Sequence, residues 1–316
     1  MRQVALIYNP FSGQYSARRE AAVQRAVSVL RNAGIETEPF ITDGAGSGTR
    51  LALDAVRAGF DTIIACGGDG TVHEVLQSVV GTEVALGVIP LGTANALAAD
   101  LGLIGSPEKA VRTLLGAAPT RVSVGRIQYL TSEGGSASRY FAVAAGVGAD
   151  ALLMSRMDAG LKRRLGYLLY MIEATKILFT HGFPMFEASV PANANGHARQ
   201  IDISQLLAVR VRSFGGALGR LAPGASVRNG SLSMLVFKTR NRFRFVSFLL
   251  AALAGRQTFA RDVELVEAES IECRARNGSQ EPLFVEADGE VLGLLPVKLD
   301  VVPHALTLLV PPNAQP

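Results

Sequence analysis

The hydrophobic pattern of this chain changes character about a third of the way along. Up to about residue 120, short apolar runs alternate with longer amphipathic stretches. "QVALIYN", "IETEPFIT", "DTIIACGG" and "VALGVIPLG" have the length and apolar continuity of buried strands. Between them, "SARREAAVQRAVSVLRNAG", "GTRLALDAVRAG" and "TVHEVLQSVVG" carry helical spacing, the first two stopped by Gly34 and Gly59. Strands alternating with helices of this length predict a parallel sheet with helices on its faces. In such sheets a ligand sits beyond the carboxyl ends of the strands.

After residue 120 the segments become strand-like and are divided by Gly, Asn and Pro turns. They are "RVSVGRIQYL", "RYFAVAAGVG", "QLLAVRVRSF", "SLSMLVFK", "VELVEAESIECRAR" and "LFVEADGEVLG". A strong helix over about 161–179 and a weaker one over about 245–255 interrupt them. The pattern predicts a mostly antiparallel second domain, a β-sandwich. The closing "KLDVVPHALTLLVP" either completes this domain or returns to the first, "PANANGHARQ" reads as an exposed loop, and "PPNAQP" as a frayed tail.

Composition narrows the class. The chain has 316 residues, 48% hydrophobic and 18% charged, which describes an ordered globular protein of two domains. Two distant cysteines, Cys66 and Cys273, with no metal-ligand cluster around either, point to a reducing, cytoplasmic setting. No apolar run has the roughly 20 residues of a spanning helix; "FVSFLLAALAG" is about half that length, and the opening strand is too short for a secretion signal. The net charge of +4 permits an anionic ligand or membrane surface without demanding one.

The chemistry concentrates in glycine-rich turns. "ACGGDGTVHEVL" runs a buried strand into Gly67, Gly68, Asp69 and Gly70, with Thr71 placed to cap the following helix. Exposed N–H groups at such a helix start form an anion site suited to phosphate, and Asp69 can accept from a ribose or a metal-bound water. A plain strand–turn–helix connection is the alternative, but it needs one glycine rather than three. "YNPFSG" and "PLGTANALA" end the first and fourth strands with similar polar turns. Three at one sheet edge indicate a nucleotide cleft, and the absence of both the Walker pattern and G-x-G-x-x-G disfavours a P-loop enzyme or a dehydrogenase. Cys66, beneath the turn, reads as buried filler, and His73 as a packing or surface residue.

In "VEADGEVLG", Asp288 and Glu290 lie two apart, so on an extended strand both carboxylates share one face. They can take a proton, share a Mg²⁺ ion or mark a polar turn. The same ambiguity attends "FKTRNRFRF" at 237–245, where Lys238, Arg240, Arg242 and Arg244 interleave with phenylalanines. It suits an anionic lipid surface, and equally a strand end followed by a solvated turn. "LKRRLG" at 161–166 is either part of a lipid entrance or a solvated helix end.

Taken in order, "NPFSG", "GGDGTVHEVL", "PLGTANALA", "AAGVGADA", "RRLGYLLY", "SFGGALGRLAPGA" and "EADGE" resemble the diacylglycerol kinase catalytic-domain family, which includes sphingosine and ceramide kinases. The resemblance runs from Tyr8 to about Pro311. It implies a Rossmann-like parallel α/β nucleotide domain over 1–122, joined by about 300–316, and a β-sandwich lipid-acceptor domain over 123–299, with the active site in the cleft between them. It assigns Asn9, Pro10, Ser12, Gly13, Thr42, Gly67, Gly68, Asp69, Gly70, Thr71, Glu74, Gly92, Thr93 and Asn95 to the ATP site. Glu290 inherits the general base and Asp288 a supporting role, with the catalytic Mg²⁺ that accompanies ATP near Asp69 and Asp288. Asp69 is the competing base.

Two departures stand out. Ala96 replaces an acid common in the family, and "GTANALA" is closer to sphingosine kinase wording. Many bacterial members bind a structural magnesium at "DDG-x-LD", where this chain reads "VRNGSLSM", with Asn229 and Ser233 in place of acids. Neutral ligands hold a hard cation weakly, so that site is expected to be weakened or absent.

The leading expectation is an ATP-dependent lipid kinase acting on diacylglycerol at the membrane, peripherally attached, with no nucleic-acid partner and a homodimer left open. The alternatives are another lipid kinase, a soluble-acceptor kinase like NAD kinase, and a nucleotide-binding regulator without catalysis.

Overall fold

The computed structural model describes residues 1–316 apart from 11, 13–16, 132, 156–175, 178–179, 192–197, 215–220, 223, 255–261, 277–280, 313 and 315–316. The chain forms two compact units, 1–124 with 303–316, and 125–302.

The first unit is built on parallel strands β1 (Gln3–Tyr8), β2 (Glu36–Ile41), β3 (Thr62–Gly67) and β4 (Ala85–Pro90). β1, β3 and β4 are buried along almost their whole length, as strands covered on both faces must be. β2 pairs with β1 at the end of the strand order and is largely exposed, with Thr37 buried. Pro39, which cannot donate to a ladder, is tolerated on that edge. Helices α1 (Ala17–Asn32), α2 (Ser47–Arg57), α3 (Asp69–Val79), α4 (Ala96–Asp100) and α5 (Pro107–Leu115) connect the strands or follow them. α1 packs on α5 and α2 on α3. Ser106 caps α5 by accepting from the Lys109 N–H at 3.3 Å, with Pro107 in the first turn, where its missing N–H costs nothing.

The end of the long strand β15 (Glu290–Val310) joins this sheet, Thr307 and Leu308 running parallel to Ala85 and Leu86. The order is thus β15, β4, β3, β1, β2. From β1 the chain moves first to one side and then to the other, so the strand order reverses between β1 and β3. That crevice is where a doubly wound sheet binds its ligand.

The second unit is antiparallel. Its strands are β5 (Ala118–Leu130, entering from the first unit), β6 (Ser136–Phe141), β7 (Ala144–Val147), β8 (Phe186–Val190), β9 (Arg199–Ile203), β10 (Gln205–Val209), β11 (Leu232–Phe237), β12 (Val263–Ala268), β13 (Ser270–Ala275), β14 (Phe284–Ala287) and most of β15. One path runs β12, β11, β10, β7, β14, β15; another leaves β15 through β13 to β8 and β9. Residues of both paths, among them Val147, Phe186, Ile203, Met234, Cys273 and Val285, enclose one apolar core. The segment "VELVEAESIECRAR", read as one strand, is two. β12 pairs with β11, whereas β13 turns to β15 and β8.

The helix expected over 161–179 lies almost entirely outside the described residues. The second one, α7 (Arg242–Leu253), begins three residues before the expected start, because the Asn241 side chain caps it by accepting from the Phe243 N–H at 3.0 Å. Arg242, Phe243 and Arg244 therefore form its first turn, not a strand end. No described helix is long and apolar enough to cross a membrane.

Candidate active site

At the switch point the turns after β1, β3 and β4 are tied together by side chains. Asn9 donates through Nδ2 to Thr71 Oγ1 at 3.2 Å, and Ser12 Oγ lies 3.4 Å from the same oxygen. Ser12 Oγ also accepts from the Gly68 N–H at 3.1 Å. The Asp69 carboxylate accepts from the backbone N–H groups of Asn95 and Ala96, at 2.9 and 2.7 Å. It fastens the start of α3 to the turn after β4. Asn95, in the left-handed region at φ 49°, closes its own turn through the Gly92 N–H and carbonyl, each at 2.8 Å.

The glycines answer to packing as well as to a ligand. A Cβ on Gly92 would lie 2.6 Å from the Gly68 Cα, and one on Gly67 would lie 2.3 Å from Thr71 Oγ1. α3 starts at Asp69 with Gly68 as its N-cap residue and no side-chain cap. Thr71 thus sits in the first turn, bonded to Asn9, and the expected Thr71 cap is corrected. Ser12 takes the Gly68 N–H, and a helix start whose N-cap residue brings no side chain of its own suits an anion. These features fit the phosphates of a nucleotide.

The remaining expected residues divide. Thr42 is buried after β2, its N–H donating to the Tyr8 carbonyl at 2.9 Å, while Thr93 is exposed and Pro10 and Gly70 are half-buried. Glu74 accepts from the N–H groups of Gly46 and Gly48 at 2.8 and 2.7 Å, fastening α3 to the start of α2. Gly13 lies outside the described residues. His73 and Cys66 are buried, and burial pushes the Cys66 thiol far above its ordinary range.

In the second unit, "VEADGEVLG" is not one extended strand. Asp288 and Gly289, at φ 50° and 86°, form the two-residue turn of a hairpin in which Ala287 faces Glu290. Positive φ at both central positions is the type I′ signature of an Asp-Gly pair. The expected shared strand face is therefore replaced by a hairpin tip. The Asp288 carboxylate accepts from Ala142, Val143 and Ala144 N–H groups at 2.9, 2.8 and 3.1 Å, pinning the turn to the segment that leads into β7. Glu290 is exposed at the start of β15.

The sequence reading missed two acids behind this turn. Glu286 on β14 is buried, accepts from the Gly289 N–H at 2.8 Å, and shares a hydrogen bond with Asp150 in the first turn of α6 (Ala149–Ser155). The two carboxyls converge above Gly146, where a Cβ would meet Asp150 Oδ2 at 2.7 Å and Glu286 Oε1 at 2.8 Å. Burial first, and then the Asp150 charge, push Glu286 well above the usual carboxylate range. Burial also raises Asp150, against the lowering effect of the Glu286 hydrogen bond. Both carboxyl pKa values are raised, and the hydrogen bond between them needs one proton shared by the pair. The available signal was an acid inside an apolar strand, two residues before an Asp-Gly hairpin turn.

Neither metal expectation gains a cage. The oxygens of Asp69 and Asp288 are engaged by backbone N–H groups, and no cluster of three or more His, Cys, Asp or Glu among the described residues could hold a metal. At "VRNGSLSM" the residues do not fit a structural cation either. The guanidinium of Arg210, fully buried, donates to the carbonyls of Ser231, Asn229 and Val227 at 2.6, 3.0 and 3.1 Å. Burying an ion costs several kcal/mol. Hydrogen bonds to a charged group contribute about 1.5–3 kcal/mol each, so three are of the size needed to offset it.

An α/β unit with phosphate-suited turns at its switch point, followed by an antiparallel β unit, defines a fold shared by diacylglycerol and NAD kinases. A solved diacylglycerol kinase from Bacillus anthracis matches 99% of this chain and 98% of its own at TM-score 0.69 and 19% identity. Yeast NADH kinase complexed with NADH matches 97% of this chain and 82% of its own, at TM-score 0.54 and 9% identity. These two show the fold.

By sequence, residues 3–127 match the diacylglycerol kinase catalytic domain, and residues 142–310 the YegS C-terminal NAD kinase beta sandwich-like domain. The Bacillus subtilis diacylglycerol kinase is 29% identical, over 94% of this chain and 92% of its own length. A Chromohalobacter salexigens protein named "Probable lipid kinase YegS-like" is 32% identical, over 97% and 92%. The chain belongs to the diacylglycerol kinase catalytic-domain family: it is a phosphotransferase of the lipid kinase class. ATP use follows from that membership.

Proposed function

We propose that this protein transfers the γ-phosphate of ATP to the hydroxyl of diacylglycerol, giving phosphatidic acid. The observation that carries the reading is the set of turns at the β1/β3 switch point, locked by Asn9, Ser12, Asp69 and Asn95 around an uncapped α3. Phosphoryl transfer needs chiefly positioned phosphates and offset charge. The start of α3 and the Gly67–Gly70 backbone would hold the phosphates, and a Mg²⁺ ion arriving with ATP would supply the charge that offsets theirs. Glu290, at an exposed hairpin tip, takes the acceptor's proton as the hydroxyl oxygen bonds to the γ-phosphorus and ADP departs. Asp288 holds that tip through three N–H groups. Asp69, tied to Asn95 and Ala96, is placed to hold turns together rather than to act as the base.

Relatives named diacylglycerol kinase support this acceptor. A lipid acceptor requires peripheral contact with a membrane from the cytoplasmic side. α7 offers a surface for it: Phe243 and Leu250 are 74% and 61% exposed, and the exposed Arg240, Arg242 and Arg244 flank the first in sequence, Arg244 pairing with Asp262 at 2.9 Å. Such a mixture lies well on an anionic interface.

Labelled ATP offered with diacylglycerol, sphingosine, ceramide and NAD in parallel tests the reading. Label in phosphatidic acid is the expected outcome. Label in another lipid changes the acceptor, label in NADP makes it a soluble-acceptor kinase, and no product with ATP still bound makes it a regulator.

A further inference from the structure

We propose that Arg210 is a built-in cation that occupies the place of a metal ion, so that the β-rich unit folds without a structural divalent cation. The carbonyls of Val227, Asn229 and Ser231 are alternate oxygens of one short segment leading into β11, and all three converge on one guanidinium. Converging oxygens are the donor set of a hard cation such as Mg²⁺ or Ca²⁺. Here the positive charge comes from the end of β10.

The side chains around the ring agree. Asn229 turns its amide outward as a donor to the Gly224 carbonyl, at 2.8 Å, and so adds no anionic ligand. Ser233 is buried, and its hydroxyl has no hydrogen-bond partner among the described residues. Glu267, opposite Ser233 on β12, approaches Gly224 and is itself exposed. A divalent ion on the same carbonyls would have to displace a guanidinium of like charge. Burial lowers Arg210 only to about 10, so the guanidinium stays charged at neutral pH.

Melting of the nucleotide-free full chain, with EDTA or with Mg²⁺, tests this. The wild type is expected to melt at the same temperature in both. Arg210→Met should lower the melting temperature by roughly 5 °C or more in either condition. Where Arg210→Met yields no folded protein, Arg210→Lys is the readable variant: its single ammonium cannot span three carbonyls, and an intermediate melting temperature is expected. Adding Asn229→Asp to the Met variant should create a response to Mg²⁺ or Ca²⁺, seen as a rise in melting temperature and as direct binding of the ion. A Mg²⁺-stabilised wild type, a position-210 variant as stable as the wild type, or a double variant indifferent to both ions would each overturn the proposal. None of these readouts depends on which acceptor is phosphorylated.

Discussion

At the scale of single residues, two carboxylates near one hairpin carry opposite duties. On the proposed reading Glu290, exposed at the hairpin tip, is the general base, whereas Glu286 is buried against Asp150 and its pKa is raised. Glu290→Gln should cut turnover by at least 10²-fold while leaving ATP affinity near normal, as the loss of a general base does. A variant retaining near-normal turnover would sink the assignment. Glu286 predicts a pH effect whose sign is fixed by its raised pKa. The folded state binds the proton more tightly than the unfolded chain, so the associated stability is complete at low pH. It is lost as pH rises from the ordinary carboxylate range to the folded value. Glu286→Gln keeps a donor toward Asp150 and an acceptor toward Gly289 but cannot ionise. Melting temperatures between pH 5 and 8 should therefore fall less for the variant than for the wild type, and parallel curves would refute the protonated pair.

At the scale of elements, the turns matter through one another. Gly92 touches the Gly68 backbone, so Gly92→Ala forces the turns after β3 and β4 apart. Overpacking of this kind costs about 1–3 kcal/mol. The expected result is a weaker KM for ATP, with far-UV circular dichroism unchanged, and an unaltered KM would show that the turn contact does not shape the nucleotide site. α7 works through its surface. Its inner side packs Phe245, Phe248 and Ala252 against Phe237, which leaves Phe243 and Leu250 facing out. Its first turn contains arginines and no acid, the reverse of what the helix dipole favours, and an anionic partner would relieve that conflict.

At the scale of the whole molecule, the net charge of +4 and sequence pI of about 9.3 favour approach to anionic membranes. Vesicles of phosphatidylcholine with phosphatidylglycerol should retain the protein better than phosphatidylcholine alone, less so as salt screens the attraction. Arg240→Gln with Arg242→Gln should weaken that retention roughly thirtyfold, since each basic residue contributes about 1 kcal/mol near such a surface. Equal retention of variant and wild type would remove α7 from the contact. Much at this scale was readable in advance. The alternation of apolar runs and amphipathic stretches determined the parallel α/β unit, because β1, β3 and β4 must be apolar on both faces when helices cover them. The ordered turn motifs determined the family, because tight turns beside a phosphate leave few residue choices. Tertiary structure alone decided that Asp69 fastens α3 to the turn after β4, that Glu286 meets Asp150, and that Arg210 faces the 227–231 carbonyls. Those partners lie 26–27, 136 and 17–21 positions apart, and local pattern records which way a side chain points but not what folding brings opposite it.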